Sequence, residues 1–156
     1  MFAELLGAIE ASALGQAARG SVWLYPLANL LHVLGAALVV GSIAVFDLLV
    51  LARRYPVAVG SGRVAIPLAA TGLAVQLLTG IVLFSAEATT IGRNPAFLFK
   101  MALLAIGLVN VVGYHMFHRI PAEAAAGHTG AARLHALVSL LTWVFVLLAG
   151  RAIAYV

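Results

Sequence analysis

The chain has 156 residues, of which 64% are hydrophobic and only 9% are charged. Soluble globular domains carry charges on about a quarter of their residues, so this composition excludes an ordinary soluble domain and indicates an integral membrane protein. The net charge of +4 comes from basic residues dispersed between apolar stretches, which excludes a nucleic-acid-binding patch. The absence of cysteine excludes disulfides, cysteine-bound zinc and iron–sulfur clusters.

The first twenty residues predict a short amphipathic helix on the membrane surface. Apolar side chains at Phe2, Leu5, Leu6 and Ile9 recur at helical spacing, with charged residues between them. The segment lacks the basic start and long apolar core of a secretory signal peptide, so we expect no cleavage. We therefore divide the chain into an interfacial helix over residues 1–20 and a membrane domain over residues 21–156.

Four stretches without Asp, Glu, Lys or Arg follow, at residues 20–46, 64–86, 101–118 and 134–150. Each is close to the roughly 20 residues that a helix needs to cross about 30 Å of hydrocarbon. We place the membrane helices at about residues 22–51, 64–86, 96–119 and 132–155. Because the connections are short, neighbouring helices must be antiparallel. The sequence thus predicts an all-α, up-down-up-down bundle of four transmembrane helices.

Basic residues predict the orientation of this bundle. Arg53, Arg54 and Arg63 cluster in the first connection, and Arg119 and Arg133 flank the third. Connections rich in Lys and Arg stay on the cytoplasmic side of the membrane. Both termini are therefore expected on the periplasmic side of a bacterial inner membrane.

Four of the five histidines lie inside or at the ends of the predicted membrane helices. Ionisable side chains in a membrane mark ion pathways, proton relays or cofactor ligands. With the orientation above, His32 lies in the outer half of the bundle, whereas His115, His118 and His135 lie in the inner half. His32 and His115 differ by about 18 Å along the membrane normal, so we do not expect them to bind one iron.

The inner histidines predict a b-type haem. Neutral imidazole is a common axial ligand, and helix bundles build cofactor sites from inward-facing side chains. His115 and His135 can face each other at similar depth, with His118 as an alternative ligand. The other interpretation is that His118 and His135 lie in the headgroup region without a cofactor. Cationic partners for the haem propionates are available near the helix ends, at Arg119, Arg133 and Arg151.

The outer half of the bundle predicts a second haem position around His32. Gly35 follows His32 by about one turn and leaves room for a porphyrin face or a neighbouring helix. Met101 is the candidate sulfur ligand at this depth, and without it an outer haem would be five-coordinate or absent. Lys100 and Arg151 lie near helix ends, where long side chains reach the interface.

Three further polar residues lie inside the predicted helices. Asn110 and Gln76 are expected to hydrogen-bond across helices, the usual role of amides in membranes. Asp47 is expected to pair with Arg53, Arg54 or Arg133. Asn110 completes the set of candidate cofactor-binding residues, whose other members are His32, His115, His135, Arg133, Arg151 and Lys100.

Three segments, WLYPLANLLHVLGAALVVGSIAVFDL, NPAFLFKMALLAIGLVNVVGYH and ARLHALVSLLTWVFVLLAGRAIAY, resemble a family of uncharacterised bacterial four-helix membrane proteins, a domain of unknown function. A looser similarity links the chain to HemJ-type protoporphyrinogen oxidases. It consists of a histidine early in the first helix, Thr-Gly in the second, and Lys and His in the third. The first helix also resembles copper-resistance D membrane proteins. The HemJ-type resemblance implies that His32 is a haem ligand, with Lys100 and His115 at the other matching positions.

These observations favour a membrane protein that binds one b-type haem, or two. It would pass electrons between the quinone pool and a partner protein, as an oxidoreductase or its cytochrome b-type subunit, and it could form homo-oligomers. The alternative is a non-redox membrane protein, either a copper or small-solute transporter or a structural subunit of a complex. Copper(I) prefers thiolate and thioether ligands, and the chain offers three methionines and no cysteine.

Overall fold

The structure, a computed structural model, describes residues 1–117 and 130–155, without the side chains of Tyr55, His115 and Phe117. Every regular element in these ranges is a helix, which confirms the predicted all-α class. The bounds are α1 (Phe2–Glu10), α2 (Ala13–Gly20), α3 (Leu24–Leu51), α4 (Tyr55–Ala86), α5 (Ala88–Ile91), α6 (Pro95–Phe117) and α7 (Gly130–Ala152). Four of them, α3, α4, α6 and α7, are long and apolar enough to cross a membrane. The chain is therefore a multi-pass membrane protein.

The four long helices form an antiparallel bundle. Helix α3 packs against α4 and α7, and α7 packs against α6. Near the start of α3, His32 contacts Thr79 near the end of α4. Midway along the bundle, Val39 of α3 forms a buried apolar cluster with Trp143 and Val146 of α7. At the far end of α3, Val50 packs with Ala58 of α4, as expected when two neighbouring helices run in opposite directions.

The connection between α3 and α4 is shorter than the sequence predicts. Helix α3 ends at Leu51 and α4 begins at Tyr55, not near residue 64. Arg53 makes the turn with a positive φ of 59°, and the amide of Arg54 donates to the carbonyl of Leu49 at 2.9 Å. This hydrogen bond satisfies a carbonyl at the helix end, so three residues suffice for the reversal.

Glycines bring α3 and α4 into close contact near the middle of the membrane. A Cβ atom added to Gly72 would lie 2.8 Å from the carbonyl oxygen of Gly35 and 2.9 Å from the amide nitrogen of Val39. Small residues at a helix crossing allow this approach, which maximises dispersion contacts where lipid provides no hydrophobic driving force.

The N-terminal segment forms two helices where the sequence predicts one. The first helix ends at Glu10, and Ser12 caps the second, since its hydroxyl accepts a hydrogen bond from the amide of Gly15 at 3.2 Å. Helix α1 packs against α5, and α2 packs against α4. We call α1 and α2 the cap, and the end of the bundle that they cover the capped end.

Two polar side chains attach the cap to the bundle. Arg19 donates to the carbonyls of Ala86 at 2.8 Å and Glu10 at 2.7 Å. One carboxylate oxygen of Glu10 accepts hydrogen bonds from the amide of Thr89 at 2.8 Å and from its hydroxyl at 2.6 Å. The cap is thus held against the end of α4 and against α5 by directional contacts as well as by apolar packing.

Acidification is expected to loosen the cap. The two hydrogen bonds from Thr89 hold the pKa of Glu10 below its ordinary value of 4.5, and the positive charge of Arg19 adds to the effect. A carboxylate whose pKa is lower in the folded state contributes stability above the unfolded pKa and loses it as the pH falls through the folded pKa. Hydrogen exchange of α1 and α2, corrected for intrinsic rates, should therefore accelerate as the pH falls below 4.5.

Two glutamates provide matched variants for this experiment. Glu10→Gln should remove the pH dependence of cap exchange. Glu4→Gln should preserve it, because Glu4 is exposed and pairs at 2.7 Å with the N-terminal amine. Corrected exchange rates in wild type that do not change across this pH range would contradict the assignment.

Candidate functional site

His32 is held against α4 near the capped end of the bundle. Its Nδ1 lies 2.9 Å from the hydroxyl of Thr79. That hydroxyl has one proton and donates it to the carbonyl of Val75 at 2.6 Å. Thr79 must therefore accept from His32, so Nδ1 of the imidazole carries the proton. A neutral His32 then keeps a lone pair on Nε2, the atom that a metal ligand or proton acceptor needs.

Small and cationic residues surround this imidazole. A Cβ atom added to Gly80 would lie 3.3 Å from Cε1 of His32, so glycine is needed beside the ring. Gln76 donates to the backbone carbonyl of His32 at 2.6 Å. Lys100 lies against Gly150 of α7 in the same half of the bundle. We call His32, Thr79, Gly80 and Lys100 the His32 site.

His135 is held in a similar way at the other end of the bundle. The amide nitrogen of Asn110 donates to the backbone carbonyl of His135 at 3.1 Å, which turns the amide oxygen of Asn110 towards Nδ1 at 2.9 Å. An amide oxygen can only accept, so Nδ1 of His135 also carries its proton. The ring of Tyr114 packs edge-on against the imidazole, with centroids 6.2 Å apart.

A cavity of about 190 Å³ lies beside His135, inside the bundle. All four membrane helices contribute to its walls, which are mostly apolar. Its polar lining residues are Ser42, Asp47, Asn110, Tyr114, His135, Ser139 and Trp143, and the α4 side is lined by Ala65, Ile66, Ala69, Ala70 and Leu73. We call this space the Asp47 cavity.

Two polar atoms in the lining of the cavity lack partners. Asp47 and Trp143 are each 4% exposed. Ser139 lies beside Asp47 in the cavity lining, and Oδ2 of Asp47 and Nε1 of Trp143 have no hydrogen-bond partner. Leaving such a group buried and unsatisfied costs about 1–3 kcal/mol. The expected pairing of Asp47 with an arginine is therefore not observed among the described residues, because the carboxyl faces α7 and not the turn.

The predicted haem ligands occupy separate places. His32 contacts α4, whereas His135 contacts α6, and no residue is shared between their hydrogen bonds. Met101, the predicted sulfur ligand, is 47% exposed. The side chain of His115, like all of His118 and Arg119, lies outside the described part of the chain.

The remaining predicted residues make local contacts. Arg151 donates to the hydroxyl of Tyr155, and its guanidinium carbon lies 4.7 Å above that ring. Nε of Arg133 is buried without a hydrogen-bond partner. Within residues 1–117 and 130–155, no cluster of three or more His, Cys, Asp or Glu side chains is arranged to hold a metal ion.

Sequence reasoning overlooked the stripe that lines the cavity. His135, Ser139 and Trp143 recur at four-residue spacing, which places them on one face of α7. The spacing is visible in the sequence. However, only the packing of α3 against α7 shows that this face meets Asp47.

The four antiparallel apolar helices define the class: an all-α, multi-pass membrane protein with a mostly apolar cavity in its bundle. Searches against protein-family models, curated proteins and solved structures find no match to this chain. The family resemblances seen in the sequence therefore stay expectations. The His32 site and the Asp47 cavity are the features that bear on function.

Proposed function

We propose that the protein binds one b-type haem at the His32 site and transfers electrons between the membrane quinone pool and a redox partner. The observation that carries this proposal is the fixed tautomer of His32. Thr79 accepts the Nδ1 proton, which orients the ring and leaves Nε2 able to coordinate iron. Metal-ligating histidines commonly have their other ring nitrogen hydrogen-bonded in this way.

Two further residues support a five-coordinate haem. Gly80 lets α4 pack closely against the edge of the imidazole, and Lys100 would supply a cation for a propionate. Among the described residues, no carboxylate pairs with Lys100. Because Met101 is 47% exposed, the proposal includes no sulfur ligand. A bound haem supplies a one-electron centre, and Thr79 tunes it through the imidazole.

The Asp47 cavity does not fit a haem. An engineered cavity of about 150 Å³ holds one benzene molecule, and the space beside His135 measures about 190 Å³. A porphyrin contains four pyrrole rings and exceeds that volume. We therefore assign no haem to His135, whose ring is already engaged by Asn110 and Tyr114.

The proposed orientation places the capped end on the periplasmic side of a bacterial inner membrane. Its support is the distribution of basic residues. Arg53 and Arg54 form the turn between α3 and α4, and Arg63 lies near the start of α4, at the end opposite the cap. Electrons would then enter or leave a haem bound to His32 from the periplasmic half of the membrane.

An absorption spectrum tests the proposal. Protein purified in detergent from haem-replete cells should show a Soret band, and an α band on reduction. His32→Leu should lose both bands. Thr79→Val should weaken haem affinity by about 10–100-fold, because the ligand loses its hydrogen-bond acceptor.

His135→Leu is the matched control, since it removes an imidazole of the same kind from the other end of the bundle. It should keep the spectrum of the wild type. A wild-type preparation without a Soret band, or a His32→Leu variant that retains full haem content, would overturn the proposal. Iron and copper analysis of the same samples identifies the metal.

A further inference from the structure

The Asp47 cavity has the properties of a ligand site distinct from the His32 site. It is enclosed mostly by apolar side chains, yet the buried carboxyl oxygen Oδ2 of Asp47 and the indole nitrogen Nε1 of Trp143 have no partner. Both residues are 96% buried. The indole nitrogen donates a hydrogen bond. The carboxyl oxygen accepts one when it is ionised and can donate one when it is protonated. A ligand that bonds to both would remove two uncompensated desolvation costs.

The relative positions of these groups constrain the ligand. Asp47 lies on α3 and Trp143 lies on α7, so the two unpartnered atoms enter the cavity from different helices. A ring that carries two oxygen atoms can offer a partner to each of them. The indole can donate to a carbonyl oxygen, while the carboxyl can accept from a hydroxyl or, when protonated, donate to a carbonyl.

The size of the cavity limits the ligand to one ring. Its volume of about 190 Å³ exceeds the roughly 150 Å³ that holds benzene, which leaves room for small substituents. On the α4 side the wall is built partly from Ala65, Ala69 and Ala70, whose short side chains leave this space open.

Access from the lipid is expected between α4 and α6. The cavity is partly open, and both helices line it. Phe84 of α4 stacks on Phe97 of α6 at the capped end, with centroids 5.3 Å apart. Among the described residues no extensive packing joins these two helices. An apolar tail attached to the ring can therefore extend into the hydrocarbon while the ring occupies the cavity.

We propose that the Asp47 cavity binds the ring of a lipid-soluble quinone or quinol, between the carboxyl of Asp47 and the indole N–H of Trp143. The inference deepens the proposed exchange of electrons with the quinone pool by assigning the place where the quinone binds. It uses none of the residues of the His32 site. Failure of one assignment is therefore distinguishable from failure of the other.

Quenching of tryptophan fluorescence tests binding directly. The chain contains two tryptophans, and Trp23 is 79% exposed at the start of α3. In a Trp23→Phe background, Trp143 is the sole reporter. Titration with decyl-benzoquinone in lipid nanodiscs should quench it saturably. Decylbenzene has the same tail but no oxygen atoms, and it should neither saturate nor displace the quinone.

Equilibrium dialysis of decyl-benzoquinone then tests the two polar contacts. Asp47→Leu and Trp143→Phe should each weaken binding by about tenfold or more, while haem content stays at the wild-type level. Thr71→Ala is the matched control, because Thr71 is exposed and bonds within its own helix to the carbonyl of Pro67 at 2.9 Å. This variant should bind as the wild type does.

Ser139→Ala provides a second variant that removes the hydroxyl beside Asp47 and keeps the volume of the cavity nearly unchanged. It should weaken binding even if Asp47→Leu fails to fold, which thermal unfolding of each variant would reveal. Three results would overturn the proposal: no saturable quenching of Trp143, equal binding of decylbenzene, or unchanged affinity in both Trp143→Phe and Ser139→Ala.

Discussion

Replacing Gly72 with alanine is expected to lower the thermal unfolding temperature of the purified protein by several degrees. The new methyl group would lie 2.8 Å from the carbonyl of Gly35 and 2.9 Å from the amide of Val39, both backbone atoms that cannot rotate away. Helices α3 and α4 would have to separate, and overpacking of this kind costs about 1–3 kcal/mol. The gain from replacing a helical glycine with alanine, about 1 kcal/mol at most, does not offset that cost.

Gly41→Ala is the matched control for this experiment. Gly41 lies in α3, the helix against which Gly72 packs, but nothing comes within 4 Å of a Cβ atom added to Gly41. That variant should melt at or slightly above the wild-type temperature. Because α3 carries His32 and α4 carries Thr79, Gly72→Ala should also lower haem content. If both alanine variants melt alike, the close crossing of α3 and α4 does not exist in the membrane.

Replacing Gly15 with alanine is expected to detach the cap. A Cβ atom at this position would lie 2.5 Å from the carbonyl oxygen of Glu10 and 2.6 Å from that of Ser85. No real side chain tolerates two such contacts with backbone, so α2 must move away from α4. The hydrogen bonds of Arg19 and Glu10 to the bundle would then break. Amides of the cap should exchange about tenfold faster or more, which corresponds to about 1.4 kcal/mol.

Gly20→Ala tests whether the effect is local to the contact. Gly20 belongs to the same helix, and no atom lies within 4 Å of its added Cβ. Cap exchange in this variant should match the wild type, and so should limited proteolysis of residues 1–20. Unchanged exchange in Gly15→Ala would show that α2 does not pack on the end of α4.

The membrane helices were predictable because the amino-acid composition of a segment is enough to identify them. A helix in hydrocarbon must satisfy its backbone internally and present apolar side chains, so charge-free stretches of about 20 residues identify it. The helix ends were less predictable. Residues 55–63 contain Arg63, Gly60 and Gly62 and suggest a loop, yet they begin α4. Arg53, not a glycine, makes the left-handed turn before it.

The candidate sites were predictable only in part. The sequence identifies His32 as a polar residue in an apolar helix, but Thr79 is 47 residues away along the chain. Similarly, Asp47 was expected to pair with a nearby arginine, and it lies instead beside Ser139 of α7 in the cavity. Contacts between distant segments depend on which helix faces pack together. A nearly uniform apolar composition carries little information about that choice.

The sequence by itself therefore determined the class of protein, the number of membrane helices and the presence of histidines within them, because each follows from the cost of placing polar groups in hydrocarbon. Only the tertiary structure decided the rest. It gave His32 its partner Thr79 and His135 its partner Asn110, and it enclosed the unpartnered atoms of Asp47 and Trp143 in one cavity. The physical reason is that hydrogen bonds between helices depend on orientation and depth, which packing sets and composition does not.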